Sequence, residues 1–367
     1  MQFGLFNLLT YRDNPGGIAG VIEDSRTMVR LAEQAGFHAA WFAEHHFTNY
    51  SLSVSPLMMA SHMAAATSTI RIGPAVVVLP LHNPLRVAQE IALLDQMSGG
   101  RALLGLGSGY QPYEFDRFGI DIAAKNAVFC EYFEVLRQAM EEGHVEFSGK
   151  HFQAPPTVFA MRPASGKLPP LFLTTQAPEV LKAVGPHQPT AFIAGAWSGK
   201  ADALVKSKEG LRANWLASGL PEATMRIAMQ QYIAVVRSHA EALEAAERAR
   251  SYARMVWALR QPKIDLTPKG EIVPLELPDE PSLEDLARNM VIGDAHEVAE
   301  RIVGDIRTLG PVHYNCFFQF GDMPIRMAAA SLERFGAEVI PLVEKEVGPL
   351  SALGDAGEAP RAIARAV

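Results

Sequence analysis

Apolar residues along this chain alternate between two periods. Gln2–Leu8 is a short run rich in large apolar side chains, which predicts a strand. Val21, Ile22, Met28, Val29, Leu31, Ala32 and Ala35 then fall on one face of a helix, and Gly36 supplies its stop. His38–Ala43 predicts a buried strand, and the alternation continues with a helix over about 55–67 and a strand over Ile70–Leu79. Asn83 and Pro84 fit the N-cap and first position of a helix to Met97, Ser98-Gly99-Gly100 ends it, and Arg101–Gly105 predicts the next strand. There follow a helix over Ala127–Glu142, strands at Leu171–Thr175 and Thr190–Ala194, a helix over Asp202–Ala217, a strand at Arg226–Val236 and a helix over Ala240–Leu259. Asp294 and Glu297 form a capping box for a helix through Leu309. Tyr314–Phe320 is the last strand and Ile325–Val347 the last helix.

The eight strand candidates alternate with helices and no composition break divides them. Alternation of this kind predicts a parallel sheet, and eight units predict one closed (β/α)₈ barrel of the α/β class over residues 1–348. Gln261–Glu284 interrupts the pattern with five prolines and many charges, and is expected to be a long insertion acting as a mobile lid. Pro349–Val367, rich in Ala, Gly and Pro, is expected to be a flexible tail.

Composition narrows the picture. The 367 residues are 49% apolar and 20% charged, a globular balance. The net charge of -7, without a block of like charges, argues against nucleic acid or an anionic membrane as partner. Cys130 and Cys316 lie in apolar stretches outside any CxxC motif, which argues for two buried thiols and against a disulfide framework or cysteine zinc site. The start, MQFGLFNLL, lacks a basic signal region, and no apolar run reaches the roughly 18 residues of a membrane span. A cytoplasmic protein is expected.

In such a barrel the active site lies at the C-terminal ends of the strands. Strand two ends in Glu44-His45-His46-Phe47. Neighbours in extended chain point to opposite faces, so one histidine can face the barrel mouth while the other packs beneath it. Without HExxH spacing or cysteine ligands the pair is not expected to bind metal; a histidine at a strand end suits a general acid or base. Strand three leads into Leu81-His82-Asn83, and strand five ends in Thr174-Thr175-Gln176. Strand four runs into GLGSGY, Gly105–Tyr110, which is neither GxGxxG nor GxSxG. Its bland reading is a tight turn; its functional reading is close approach of backbone to an anionic or planar ligand.

These segments together resemble the bacterial luciferase-like monooxygenases. The matching stretches are FGLFNLLTY, AEQAGFHAAWFAEHHF, IGPAVVVLPLHNPLRVAQEIALLDQMSGGR and GLGSGYQPYEFDRFG, with weaker likeness through PPLFLTTQAP and YNCFFQF. The resemblance implies a flavin-dependent monooxygenase in which reduced FMN binds at the strand C-termini and reacts with O2 through a C4a-peroxyflavin to oxygenate a small apolar molecule. It implies a separate flavin reductase drawing on NAD(P)H, and a homodimer. His45 matches the family's catalytic histidine, with Glu44 beside it. Ala75 and Val76 match a pair joined by a cis peptide under the flavin ring, Tyr110 and Glu114 match residues lining the flavin, and Thr175 and Gln176 match those holding its phosphate. The family likeness places the Gly107–Ser108 turn at the cofactor too, with two departures: Gly107 stands where luciferase α chains have a reactive cysteine, and Ser108 where many relatives have a phosphate-binding arginine. The first argues against light emission, the second for weaker FMN binding. Two other readings are a deazaflavin-dependent oxidoreductase on the same fold and a non-catalytic partner subunit.

Overall fold

The computed structural model describes residues 1–194, 201–261 and 263–354. Strand β1 (Gln2–Asn7) leads to helix α1 (Gly17–Gln34), β2 (Ala39–Phe42), α2 (Pro56–Ala66), β3 (Arg71–Pro74), β4 (Val77–Val78), α3 (Pro84–Ser98) and β5 (Leu104–Gly107). Next come α4 (Pro112–Arg117), α5 (Lys125–Arg137), the hairpin β6 (His144–Ser148) and β7 (Gln153–Val158), β8 (Leu171–Leu173), α6 (Pro178–Val184), β9 (Thr190–Ala194) and α7 (Ala201–Ala217). The chain continues through β10 (Arg226–Val235), α8 (His239–Leu259), α9 (Leu283–Asn289), β11 (Val291–Gly293), α10 (Ala295–Leu309), β12 (His313–Phe317), α11 (Ile325–Arg334) and α12 (Ile340–Val347).

The main sheet runs β3-β2-β1-β12-β10-β9-β8-β5-β4, all parallel, with β11 added on the far end of β10. Its two edges, β3 and β4, are successive parts of one stretch, and the Leu103 amide donates to the Ile72 carbonyl at 2.9 Å. The sheet therefore comes back on itself as eight staves in sequence order, a (β/α)₈ barrel. Helices cover its outside, so its strands are buried on both faces and read as continuous apolar runs. Helix caps follow the sequence: the Asn83 side chain accepts from the Leu85 and Arg86 amides, and Asp294 and Glu297 complete a capping box. Inside the barrel, Trp41, Phe172, Phe192 and His313 form an aromatic plug, with Trp41 Nε1 donating to His313 Nε2 at 2.9 Å. Burial drives the His313 pKa far down, so this histidine is a neutral acceptor and a packing element. The plug is the floor on which the site stands.

Several boundaries differ from the sequence reading. The stave expected over Ile70–Leu79 breaks after Pro74, at a cis peptide between Ala75 and Val76. Strand four begins at Leu104 rather than Arg101, because the Arg101 guanidinium is tied to the carbonyls of Ala64, Ile70 and Thr67 and holds its own backbone as a lead-in. The last helix is interrupted by a wide turn at Phe335–Val339, just before Pro341, which has no N–H to continue the regular ladder. The hairpin β6–β7, α4 and α9 were not expected. No helix among the described residues is long and apolar enough to cross a membrane.

Of the lid segment, residue 262 lies outside the described residues. The rest is docked: Leu266 bridges Ile272, Ile272 is buried with its amide on Asn49 Oδ1 at 2.8 Å, and Glu280 takes a two-pronged ion pair from Arg254 on α8. Of the expected tail, Leu350–Ala352 form one turn, Leu350 is buried, and the N-terminal amine donates to the Leu350 and Gly354 carbonyls. Residues 355–367 lie outside the described residues.

Candidate active site

Strand C-termini converge on a cleft of about 800 Å³. Nine of the ten residues singled out from sequence by motif or likeness line it: Glu44, His45, Ala75, Val76, Ser108, Tyr110, Glu114, Thr175 and Gln176. The tenth, Gly107, lies just behind, between Val76 and Thr174.

The loop after β2 settles which histidine faces the mouth. His45 lines the cleft, whereas His46 turns away and packs edge-on against Phe118 at 4.8 Å. His45 Nδ1 lies 3.1 Å from Glu114 Oε1, and the same oxygen accepts the His46 amide at 2.8 Å. The carboxylate can only accept and the Gln111 amide nitrogen can only donate, so Nδ1 is the engaged nitrogen, as donor to the one or acceptor from the other, and Nε2 is left for chemistry. The Gln111 amide, 3.0 Å from Nδ1, and the Tyr50 ring, 4.8 Å from the imidazole, fix its tilt. Glu114 and Gln111 are both buried, so His45 is held from behind by groups that cannot swing into water.

Glu44 has a supporting place. One oxygen lies 2.9 Å from His46 Nε2 and 2.7 Å from His82 Nε2; the other accepts the Val78 amide at 2.8 Å. Burial alone would raise its pKa, but the bonds from His46, His82 and Val78 outweigh burial and hold the carboxyl at about 2. Burial lowers the His82 pKa, yet the bond and charge of Glu44 raise it above the ordinary value. Glu44 thereby ties the loop after β2 to β4 and the turn before α3.

Across the cleft, β4, β5 and β8 bring backbone close. A Cβ on Gly107 would come within 2.6 Å of both Val76 and Thr174, and one on Gly109, at φ 76°, within 2.7 Å of Phe115 and Val78. The Ser108 amide donates to Thr175 Oγ1 at 2.8 Å, and Thr175 Oγ1 donates to Ser108 Oγ at 3.0 Å. Gln176 donates to the Phe192 carbonyl at 3.3 Å. Lys125, first residue of α5, reaches over this end, with its ammonium on the Gly109 carbonyl at 2.6 Å. Burial lowers its pKa, and it has no carboxylate partner among the described residues.

The remaining wall is phenolic. Tyr50 stacks on Tyr252 with hydroxyls 2.6 Å apart, and Tyr232 packs against Tyr252. Arg260, the residue capping α8, closes the rim. Lys125, Arg260 and this tyrosine cluster escape sequence reasoning, because they belong to no motif and come from elements far apart in the chain.

With this geometry in place, comparison decides the family. The model of the family "Luciferase-like monooxygenase" matches residues 1–313. The chain belongs to that family. Among its relatives, an uncharacterized protein, y4vJ, of Sinorhizobium fredii is 32% identical over 353 residues, 95% of this chain and 99% of that one. The alkanal monooxygenase alpha chain of the Kryptophanaron alfredi symbiont is 35% identical, but over only 42% of this chain and 43% of that one. The oxygenase component of the flavin-dependent trigonelline monooxygenase of Acinetobacter baylyi is 24% identical over 93% of this chain and 95% of that one. Solved structures share the luciferase-like fold. Monooxygenase RslO1 of Streptomyces bottropensis has a TM-score of 0.78 at 22% identity, covering 93% of this chain and 99% of that one. The oxygenating constituent of 3,6-diketocamphane monooxygenase from Pseudomonas putida, in complex with FMN, has 0.70 at 20%, covering 93% and 98%. An F420-dependent secondary alcohol dehydrogenase has 0.67 at 21%, covering 93% and 98%.

Proposed function

We propose that this member of the luciferase-like family is the oxygenase component of a two-component flavin-dependent monooxygenase, taking reduced FMN from a separate reductase and oxygenating a small organic molecule with O2. The observation that carries the reading is one cleft holding both His45, braced by Glu114, and, where β5 and β8 end, the Ser108–Thr175 hydroxyl pair under Lys125.

The residues fit a flavin mononucleotide. Ala75, Val76, Gly107 and Gly109 offer a bed where backbone can meet a flat ring, since side chains at the two glycines would strike their neighbours. At the phosphate end no arginine stands at position 108; the Lys125 ammonium comes in from α5 instead, beside the Ser108 and Thr175 hydroxyls. A desolvated ammonium whose partner is a neutral carbonyl gains from an anion. When bound, reduced flavin supplies the electrons for activating O2. His45 then holds or moves a proton at Nε2, and the tyrosine wall excludes water. The docked segment 263–284 would cover the approach, and the assembly we propose is a homodimer, supported by the exposed Val54, Met58, Leu93 and Met97 around α2 and α3.

The fold also occurs in an F420-dependent dehydrogenase, so the experiment must separate oxygenation from hydride transfer. Purified protein is given NADH, FMN and an added flavin reductase, or reduced F420, under isotopically heavy O2. Products that carry the label only with FMN are expected. His45→Ala should bind reduced FMN normally and slow labelling by about 10²–10⁴-fold. Substrate reduced by hydride from reduced F420, with no label incorporated, would overturn the reading.

A further inference from the structure

The charges lining the cleft are not paired with one another. Glu44 is engaged by His46, His82 and the Val78 amide, and Glu114 by His45 and the His46 amide. Two cations remain. Lys125 lies at the Ser108–Thr175 end, which the flavin phosphate occupies in the reading above. Arg260 lies at the rim beside the tyrosines. On the preceding helix Arg248, Arg250 and Arg254 each pair with Asp322 or Glu280, yet the Arg260 guanidinium has no ion pair or hydrogen bond with the described residues.

Its surroundings say which anion it suits. Arg260 lines the same cleft as Tyr110, Tyr232 and Tyr252, and its charge opposes the rise that burial gives the Tyr232 phenol. Tyr110 is 5.9 Å and Tyr50 4.8 Å from the ring of His45; Tyr50 stacks on Tyr252 at 5.5 Å, and Tyr252 meets Tyr232 at 5.7 Å. Rings thus follow one another from the proposed catalytic histidine through Tyr50 and Tyr252 to Tyr232, in the cleft that Arg260 also lines. Aromatic faces and edges recognise a planar ring at such separations. A guanidinium fork recognises a carboxylate with two parallel hydrogen bonds.

We infer that this cleft takes an aromatic carboxylate, its ring against Tyr50, Tyr110, Tyr232 and Tyr252 and its carboxylate on Arg260. The inference rests on the flavin phosphate lying at the Lys125 end. It assigns Arg260 to substrate specificity and leaves phosphate binding to Lys125.

The test uses the FMN-loaded protein titrated with 2-naphthoate, 2-naphthamide and cyclohexanecarboxylate, read by perturbation of the flavin spectrum. The naphthoate should bind about ten- to a hundredfold more tightly than the uncharged amide, and more tightly than the non-aromatic acid. Arg260→Gln should abolish the preference over the amide, leaving amide affinity and FMN affinity unchanged, and Arg260→Lys should restore part of it. Equal binding of naphthoate and naphthamide by the wild type would overturn the inference. So would an Arg260→Gln protein that loses FMN but keeps the carboxylate preference, since Arg260 would then belong to the cofactor. If FMN does not bind at all, the flavin reading fails, while the same titration of the cofactor-free protein by tyrosine and tryptophan fluorescence still reads the preference for or against the carboxylate.

Discussion

Glu44 is buried and charged because three donors surround it: His46, His82 and the Val78 amide. A carboxylate so placed is costly to leave unpaired and binds its donors strongly when they are present. Its folded pKa of about 2 lies below the ordinary 4.5. Its charge therefore stabilises the fold fully above pH 4.5, and that contribution is lost as pH falls from 4.5 toward 2. The displacement corresponds to about 3 kcal/mol. His82 shifts the other way: raised above 6.5, it adds stability that is present below 6.5 and lost as pH rises through its folded value. Glu44→Gln keeps the shape but turns one acceptor oxygen into a donor facing imidazole or amide N–H groups. We expect this variant to be less stable by about 3 kcal/mol at pH 7 in urea unfolding, with the gap narrowing as pH drops toward 3. A gap equal at pH 7 and pH 3 would show that shape, rather than the carboxylate charge, is what the loop needs.

At the scale of elements, the approach of β4, β5 and β8 depends on what Gly107 lacks. A Cβ there would lie 2.6 Å from a Thr174 hydroxyl and a Val76 methyl, so Gly107→Ala must push one stave outward. Overpacking of this kind costs about 1–3 kcal/mol. A lower unfolding midpoint and weaker binding of reduced FMN are the expected results; unchanged FMN affinity would remove this strand junction from the cofactor bed. The same junction marks the limit of sequence reasoning. Staves such as Thr190–Ala194 are legible because strands buried on both faces read as unbroken apolar runs. The break after Pro74 is not, because Ala75-Val76 continues the same apolar run. The β6–β7 hairpin hides because its strands are half exposed and β7 contains Pro155 and Pro156. Alternation left the choice between His45 and His46 open; the carboxylates that sort them, Glu114 and Glu44, act through folded contacts. Arg260 and Lys125 gain meaning only when the ends of α8 and α5 meet across the cleft.

Taken whole, the molecule is one barrel with its candidate site in one cleft at the strand C-termini. The eight staves of its main sheet are used by a single barrel, and outside it the described residues form only the two-stranded β6–β7 sheet. A nicotinamide dinucleotide is usually held by a Gly-rich turn between a strand and a helix, with an acidic residue about 20 positions later. The glycine turn present here, Gly105–Tyr110, is committed to the cleft, where Ser108 bonds Thr175 and Gly109 receives Lys125. In the proposed reading, electrons arrive on the flavin itself. In that reading the Lys125 end suits a cofactor that comes and goes: a single ammonium and two hydroxyls would replace the two parallel bonds of a guanidinium and hold a phosphate more loosely. We expect the purified protein to be nearly colourless and to bind reduced FMN more tightly than oxidised FMN. NADH or NADPH with FMN should give no oxygenation of an aromatic carboxylate substrate, and adding any flavin reductase should start it. Lys125→Gln should weaken reduced FMN binding by about tenfold or more, the scale of one lost charged hydrogen bond, while sparing the fold. Steady turnover on NAD(P)H and FMN with no reductase present would mean that this barrel binds the nicotinamide itself and reduces its own flavin, and the two-component reading would give way to a self-sufficient oxidase or dehydrogenase.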